Sequence, residues 1–130
     1  MRGGRETISG TVIYEGIYIG GHAGHGSEAR GRIILNQDHV YIEALGEKIP
    51  YYRIKKLEIM DKERISKLRL LTIGLLAFAW KKHDKYLMII YEDDIGMEQR
   101  PTFNFSNYME DSAQTQIYLR VVEAKKSQKR

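Results

Sequence analysis

Apolar residues follow two different periods along this chain. Up to residue 105 they alternate or gather in short runs bounded by glycine and polar clusters; beyond residue 108 they recur every three or four positions. The first pattern is that of strands, the second that of a helix with one buried face. Residues 11–19 (TVIYEGIYI) are rich in β-branched and aromatic side chains and predict a strand. A glycine-dense loop at 20–31 follows. Residues 32–36 (RIILN) and 39–45 (HVYIEAL) predict two more strands, joined by a tight turn at Gln37 and Asp38. In the second of these Val40, Ile42 and Ala44 share one face, with Tyr41, Glu43 and Leu45 on the other. Residues 47–52 (EKIPYY) predict a short strand at an edge, because Pro50 has no N–H to give to a ladder. Residues 54–60 alternate again, with Leu57 and Ile59 facing in and Lys56 and Glu58 facing out. Residues 61–67 are polar and predict a loop or a short helical turn.

The most apolar run, residues 70–80 (LLTIGLLAFAW), has 11 residues. A bilayer span takes about 20, so the run is expected inside the domain. Its leucines and alanines leave a buried helix open. A strand is preferred, because residues 81–85 (KKHDK) have the character of a hairpin loop and residues 86–91 (YLMIIY) that of a returning strand, with Gly74 at a bulge or bend. After a polar loop at 92–100, residues 101–105 (PTFNF) close the strand series. Met109, Ala113, Ile117, Val121 and Ala124 then place a helix over 109–126. Asn107 is the expected N-cap and Glu110 its capping-box partner. Glu110 and Asp111 at the start, and Lys125 and Lys126 at the end, suit the helix dipole. Phe103, Phe105, Ile117 and Val121 are the expected core between the last strand and this helix.

With 130 residues the chain is one domain. Residues 1–9 are expected to be flexible, 10–126 to form the domain and 127–130 to be a basic tail. Cysteine is absent. That excludes disulfide frameworks and Cys-ligated metal centres and fits a reducing compartment. The first ten residues lack the apolar stretch of a signal peptide, so a cytoplasmic location is expected. The net charge is +4, but Lys125, Lys126, Lys129 and Arg130 account for it: without them 17 basic residues face 17 acidic ones. A neutral body lacks the positive face that a nucleic-acid binder carries, and no nucleic-acid partner is expected.

The order of about seven strands and one terminal helix resembles that of the prokaryotic pleckstrin-homology-like domains. Residues 49–59 (IPYYRIKKLEI) resemble an isoleucine–proline–tyrosine strand-turn of those families, and residues 70–94 with the following FNF strand are similar too. The resemblance covers residues 10–126. It implies a mainly β fold with one C-terminal α-helix: a barrel or sandwich of two nearly orthogonal antiparallel sheets, one open end plugged by the helix. It implies a binding module and nothing narrower, since such domains take phosphoinositides, peptides, other proteins or copies of themselves. In the phosphoinositide binders, basic residues near the first two strands grip the headgroup. Here the first strand has none, His22 and His25 in the loop are mostly neutral at pH 7, and only Arg30 and Arg32 match the basic positions. Stereospecific headgroup binding is therefore not expected.

Other candidate chemistry is sparse. His22 and His25 in GGHAGHG could ligate a metal or stand in an anion-cradling loop, but only Glu28 lies near them in sequence, and a mobile glycine loop explains the stretch as well. Glu92, Asp93, Asp94 and Glu98 lack the spacing of a calcium loop and read as an acidic turn. No serine stands in a nucleophile elbow, and the glycine loop is not of the phosphate-binding kind. No enzyme, cofactor or metal is expected. The expected role is a non-catalytic module for protein or peptide interaction or self-association, using a sheet edge or the groove beside the helix. The alternative is peripheral contact with anionic membrane, through Lys81, Lys82 and Lys85 around Trp80 together with the basic tail. Arg30, Arg32, Trp80, Lys81, Lys82 and Lys85 are thus the candidate ligand-binding residues.

Overall fold

The computed structural model describes residues 5–6, 11–24, 28–67 and 85–128. The fold is mainly β with one long C-terminal helix. The strands are β1 (Arg5–Glu6), β2 (Val12–Gly20), β3 (Ala29–Leu35), β4 (His39–Ile42), β5 (Glu47–Pro50), β6 (Ile54–Met60), β7 (Tyr86–Glu92), β8 (Glu98–Gln99) and β9 (Thr102–Phe105). A short helix α1 (Lys62–Lys67) follows β6, and α2 (Glu110–Gln128) ends the described chain. Every pairing is antiparallel, and the main path runs β5-β4-β3-β2-β9-β7-β6. The first four long strands form one half, the last three the other, and the β2–β9 pairing makes the two halves one curled sheet. The result is a half-barrel consistent with a pleckstrin-homology-like fold, with α2 packed against β6, β7 and the turn between β5 and β6.

Alternation explains the first half. The register sets Tyr14 beside Ile33, Leu35 beside Val40, and Val40 beside Ile49. All five are buried, whereas their strand neighbours Glu15, Arg32 and Lys48 reach the surface. A slip of one residue would reverse both sets. Pro50 lies on β5, the terminal strand of the path, as its missing N–H requires. Strand β7 is different: Leu87, Ile89 and Tyr91 enter the main core, while Tyr86, Met88 and Ile90 pack on the other face with Ile19, Met60 and Ile65 of α1. Burial on both faces is why its sequence reads as an unbroken apolar run.

The joint of β2 with β9 is aromatic. Tyr14 and Phe105 lie 5.8 Å apart between ring centroids, Tyr18 and Phe103 also 5.8 Å, and Phe103 and Phe105 6.1 Å. Gly16 sits opposite Phe105, and a Cβ there would come within 2.9 Å of the phenyl ring. At the end of β2, Gly21 has φ +103° and a Cβ would lie 2.0 Å from the Arg100 carbonyl oxygen, so only glycine fits.

Several expectations change. The strand at 32–36 begins earlier, at Ala29, which shortens the glycine loop, and the strand at 39–45 stops at Ile42, where residues 43–46 turn. Tyr51 and Tyr52 leave the edge strand for a 3-10 turn, Tyr51–Arg53, whose Tyr51 hydroxyl donates to the Asn36 carbonyl at 2.7 Å. Inside the stretch expected to be flexible, β1 pairs with β2. The helix begins at Glu110, because residues 106–108 form a 3-10 turn that includes Asn107. The Glu110 carboxylate reaches back past that turn to accept the Phe105 N–H at 2.7 Å, a Glu110–Phe105 clasp two positions before the cap expected at Asn107. The basic tail expected at 127–130 is helical through Gln128. Residues 70–80, and with them the expected hairpin to 86–91, lie outside the described residues. One edge of β7 is filled along its length by β6, and the other by β9, β8 and the Ile89 N–H bond to the Pro101 carbonyl.

Phe103, Phe105, Ile117 and Val121 are all buried in the main core, as the two periods require. Truncating either phenylalanine to alanine is expected to cost about 3–5 kcal/mol. Denaturant unfolding of Phe103→Ala and Phe105→Ala checks this; midpoints equal to wild type would contradict the joint.

Candidate functional site

Two of the basic residues singled out from the sequence, Arg32 and Lys85, are tied to acids. Arg32 donates from Nε and Nη2 to Glu43 Oε2 at 3.0 and 2.6 Å, and its backbone N–H donates to Glu43 Oε1 at 2.8 Å. The guanidinium, then that N–H, holds the Glu43 carboxyl below its ordinary range. A fork already filled by a carboxylate has little left for a phosphate. Arg30 is exposed beside a shallow recess of about 220 Å³ that also contains Glu28. Lys85 pairs with Asp111 at 2.9 Å, at the start of α2. Two strands, β2 and β9, separate β3 from β7, so Lys85 and the arginines do not form one site. Trp80, Lys81 and Lys82 lie outside the described residues.

The histidine loop is a fastening. The His22 N–H donates to the Tyr18 hydroxyl at 3.0 Å, and the Gly24 N–H donates to His22 Nδ1 at 3.1 Å. With Nδ1 accepting, Nε2 carries the proton and donates to the Tyr91 hydroxyl at 2.9 Å. The Ala23 N–H donates to Gln99 Oε1, and Gln99 in turn donates to Asp93. His25 lies outside the described residues, and no cluster of three metal-ligating side chains occurs among the described ones. The acidic turn is likewise built from within. Asp93 accepts the N–H groups of Ile95 and Met97 and the Gln99 amide; Gln99 first, then Met97, lowers its pKa. Glu98 is held low by hydrogen bonds from Arg100, then Lys55.

A different place has the form of a binding site. Strand β6 ends the sheet, and no strand pairs with its outer edge among the described residues. Helix α2 runs beside that edge, leaving a groove of about 710 Å³, within the size range of ligand sites. Its floor is apolar: Ile54 and Val121 are buried, Leu57 is partly so, and Tyr118 forms a wall with 58% of its surface exposed. The Leu57 carbonyl turns to the outer edge, where Gln114 Nε2 donates to it at 3.2 Å. Lys55, Lys56, Lys125 and Lys126 line the groove, and no acidic side chain does. The groove beside the helix was foreseen as a location, but its residues were not. The signal was a second apolar stripe on α2, Tyr118 and Val122, each one position beyond a core residue. A second groove of about 700 Å³, on the other flank of α2, mixes Asp38 and Glu123 with His39 and Arg120 and offers no single charge.

No family model, curated protein or solved structure matches this chain. No helix among the described residues is long and apolar enough to cross a membrane.

Glu43, Asp93 and Glu98 have folded pKa values below their unfolded ones of about 3.9–4.3. Across that range the native state binds fewer protons than the unfolded one, so stability rises with pH. Their contribution is full above about pH 5 and is lost as the pH falls through the folded values. Urea midpoints measured from pH 6 to pH 3 should fall in acid, and Glu43→Gln should fall less steeply. Equal slopes would show that the Arg32–Glu43 fork has no part in it.

Proposed function

We propose that this chain is a non-catalytic, pleckstrin-homology-like binding module that takes an extended segment of a partner protein into the groove between β6 and α2. The observation that carries the reading is a terminal strand whose edge runs beside an apolar floor. A segment laid along β6 would gain backbone hydrogen bonds from the edge and side-chain burial from the floor, which is the strand-addition mode of recognition. The lysine-lined rim complements a protein segment that carries acids, and Tyr118 supplies the aromatic contact that protein interfaces favour. Membership of the pleckstrin-homology-like family and a cytoplasmic setting belong to the same proposal; strand order supports the first, and a chain without cysteine accords with the second.

Selection of a random peptide display library on the purified full chain tests the groove. Enriched peptides are expected to bind Tyr118→Ala at least tenfold more weakly. They should bind Leu119→Ala normally, since Leu119 is exposed on α2 but does not line the groove. Failure to enrich any peptide, or enrichment that Tyr118→Ala leaves intact, would overturn the reading. So would a stable dimer that Tyr118→Ala dissolves, because the occupant would then be a second copy.

A further inference from the structure

The lysines of the β6–α2 groove are not equivalent. On the strand side Lys55 pairs with Glu98 at 3.2 Å and with Glu92 at 3.7 Å, and Lys56 pairs with Glu58 at 2.8 Å. On the helix side Lys125 and Lys126 are exposed and form no ion pair among the described residues. They stand in the last turn of α2, where the helix dipole places roughly half a negative charge. Two whole positive charges exceed that, so the α2 C-terminal end of the groove is net positive.

From Ile54 and Val121 the apolar floor continues away from these lysines to Leu57 and Tyr118. Leu57 lies against Gln114, as their hydrogen bond shows, and Tyr118 is one helical turn further along. Strand β6 and helix α2 run past each other in opposite senses, with Ile54 toward the lysines and Leu57 away from them. From Tyr118 to Lys125 the helix advances about 10 Å, the length of about three residues of extended chain.

We infer that the groove selects a segment in which one large apolar residue and a pair of acidic residues are separated by about three positions, the apolar side chain seated between Leu57 and Tyr118 and the acids over Lys125 and Lys126. This rests on the groove reading above and adds its specificity. Rim charges set selectivity and association rate more than total affinity, so the acids choose the partner while the floor holds it.

The test compares peptide display selections on wild type, on Tyr118→Ala, on the double variant Lys125→Glu with Lys126→Glu, and on Lys125→Gln with Lys126→Gln. All four lysine-site changes are on exposed positions, and thermal melts check that each protein folds. Wild type should enrich peptides with acids about three positions from a Leu, Ile, Phe or Trp, binding at least tenfold more weakly when salt is raised from 50 to 500 mM. The Gln variant should lose the acidic preference, and the Glu variant should exchange it for a basic one. Peptides that depend on Tyr118 but show no charge bias would overturn this inference and leave the groove reading standing. Peptides indifferent to Tyr118 would overturn both. So would an absence of peptides together with lysine-dependent sedimentation on phosphatidylserine vesicles, which would assign Lys125 and Lys126 to an anionic lipid surface.

Discussion

Strand β9 closing on β2 is the interaction from which the rest of the architecture follows. Gly16 pairs with Phe105 and Tyr18 with Phe103, so about two thirds of the chain lies between the partners. Closing so long a loop is entropically costly, and the stacked and tilted rings of Tyr14, Tyr18, Phe103 and Phe105 supply the compensation in apolar area and ring contacts. Once this seam is made, the sheet has two ends, β5 and β6, linked by the turn Tyr51–Arg53. Helix α2 packs against that turn, β6 and β7. The Glu110 carboxylate ties the helix start to the last residue of β9, so the closing of the seam and the placement of the plug are one event.

The same economy governs charge. Arg32, Lys55, Lys56, Lys85 and Arg100 each meet an acid on the surface. Pairs of this kind add little stability, typically no more than about 1 kcal/mol, but they remove charge from the field that a ligand would feel. Of the two arginines near the first two strands, where a lipid headgroup would sit by resemblance, Arg32 is already occupied by Glu43, and Arg30 has no ion pair among the described residues. Lys125 and Lys126 in the C-terminal turn of α2 keep their charge because no acid among the described residues pairs with them. Binding character then depends less on how many lysines the chain has than on which of them lack a partner.

Much of this was legible in the sequence. The strands at 11–19 and 54–60 and the helical period after residue 108 were evident because each buries one face and so shows its period. Pro50 announced an edge by chemistry alone. Tyr86, Met88 and Ile90 hid their setting for a physical reason: a strand buried on both faces loses its alternation, and an unbroken run does not tell that β6 and β9 flank it. The Glu110–Phe105 clasp was hidden because the intervening 3-10 turn puts the donating N–H two positions upstream of the expected cap. The groove was half legible. A helix with Val121 inside and Val122 beside it shows a second apolar stripe, but only the fold tells that this stripe faces a sheet edge.

A terminal strand with no strand on its outer edge among the described residues is a hazard as well as an opportunity, because unpaired backbone groups invite any other strand. Three features of β6 restrain it. Lys55 and Lys56 place charge on the edge, the register shifts between Ile54 and Lys56 and breaks the regular ladder, and Gln114 already satisfies the Leu57 carbonyl. A docking segment would have to displace that amide. The exchange is nearly neutral, since one hydrogen bond of about 0.5–1.5 kcal/mol net is given up for another of the same kind. Backbone pairing alone therefore favours no particular strand. Discrimination must come from what the backbone does not supply: the apolar floor between Leu57 and Tyr118, and the unpaired charges at the end of α2. On the proposed reading, the helix that packs across the half-barrel would also guard its edge and set the terms on which that edge is used.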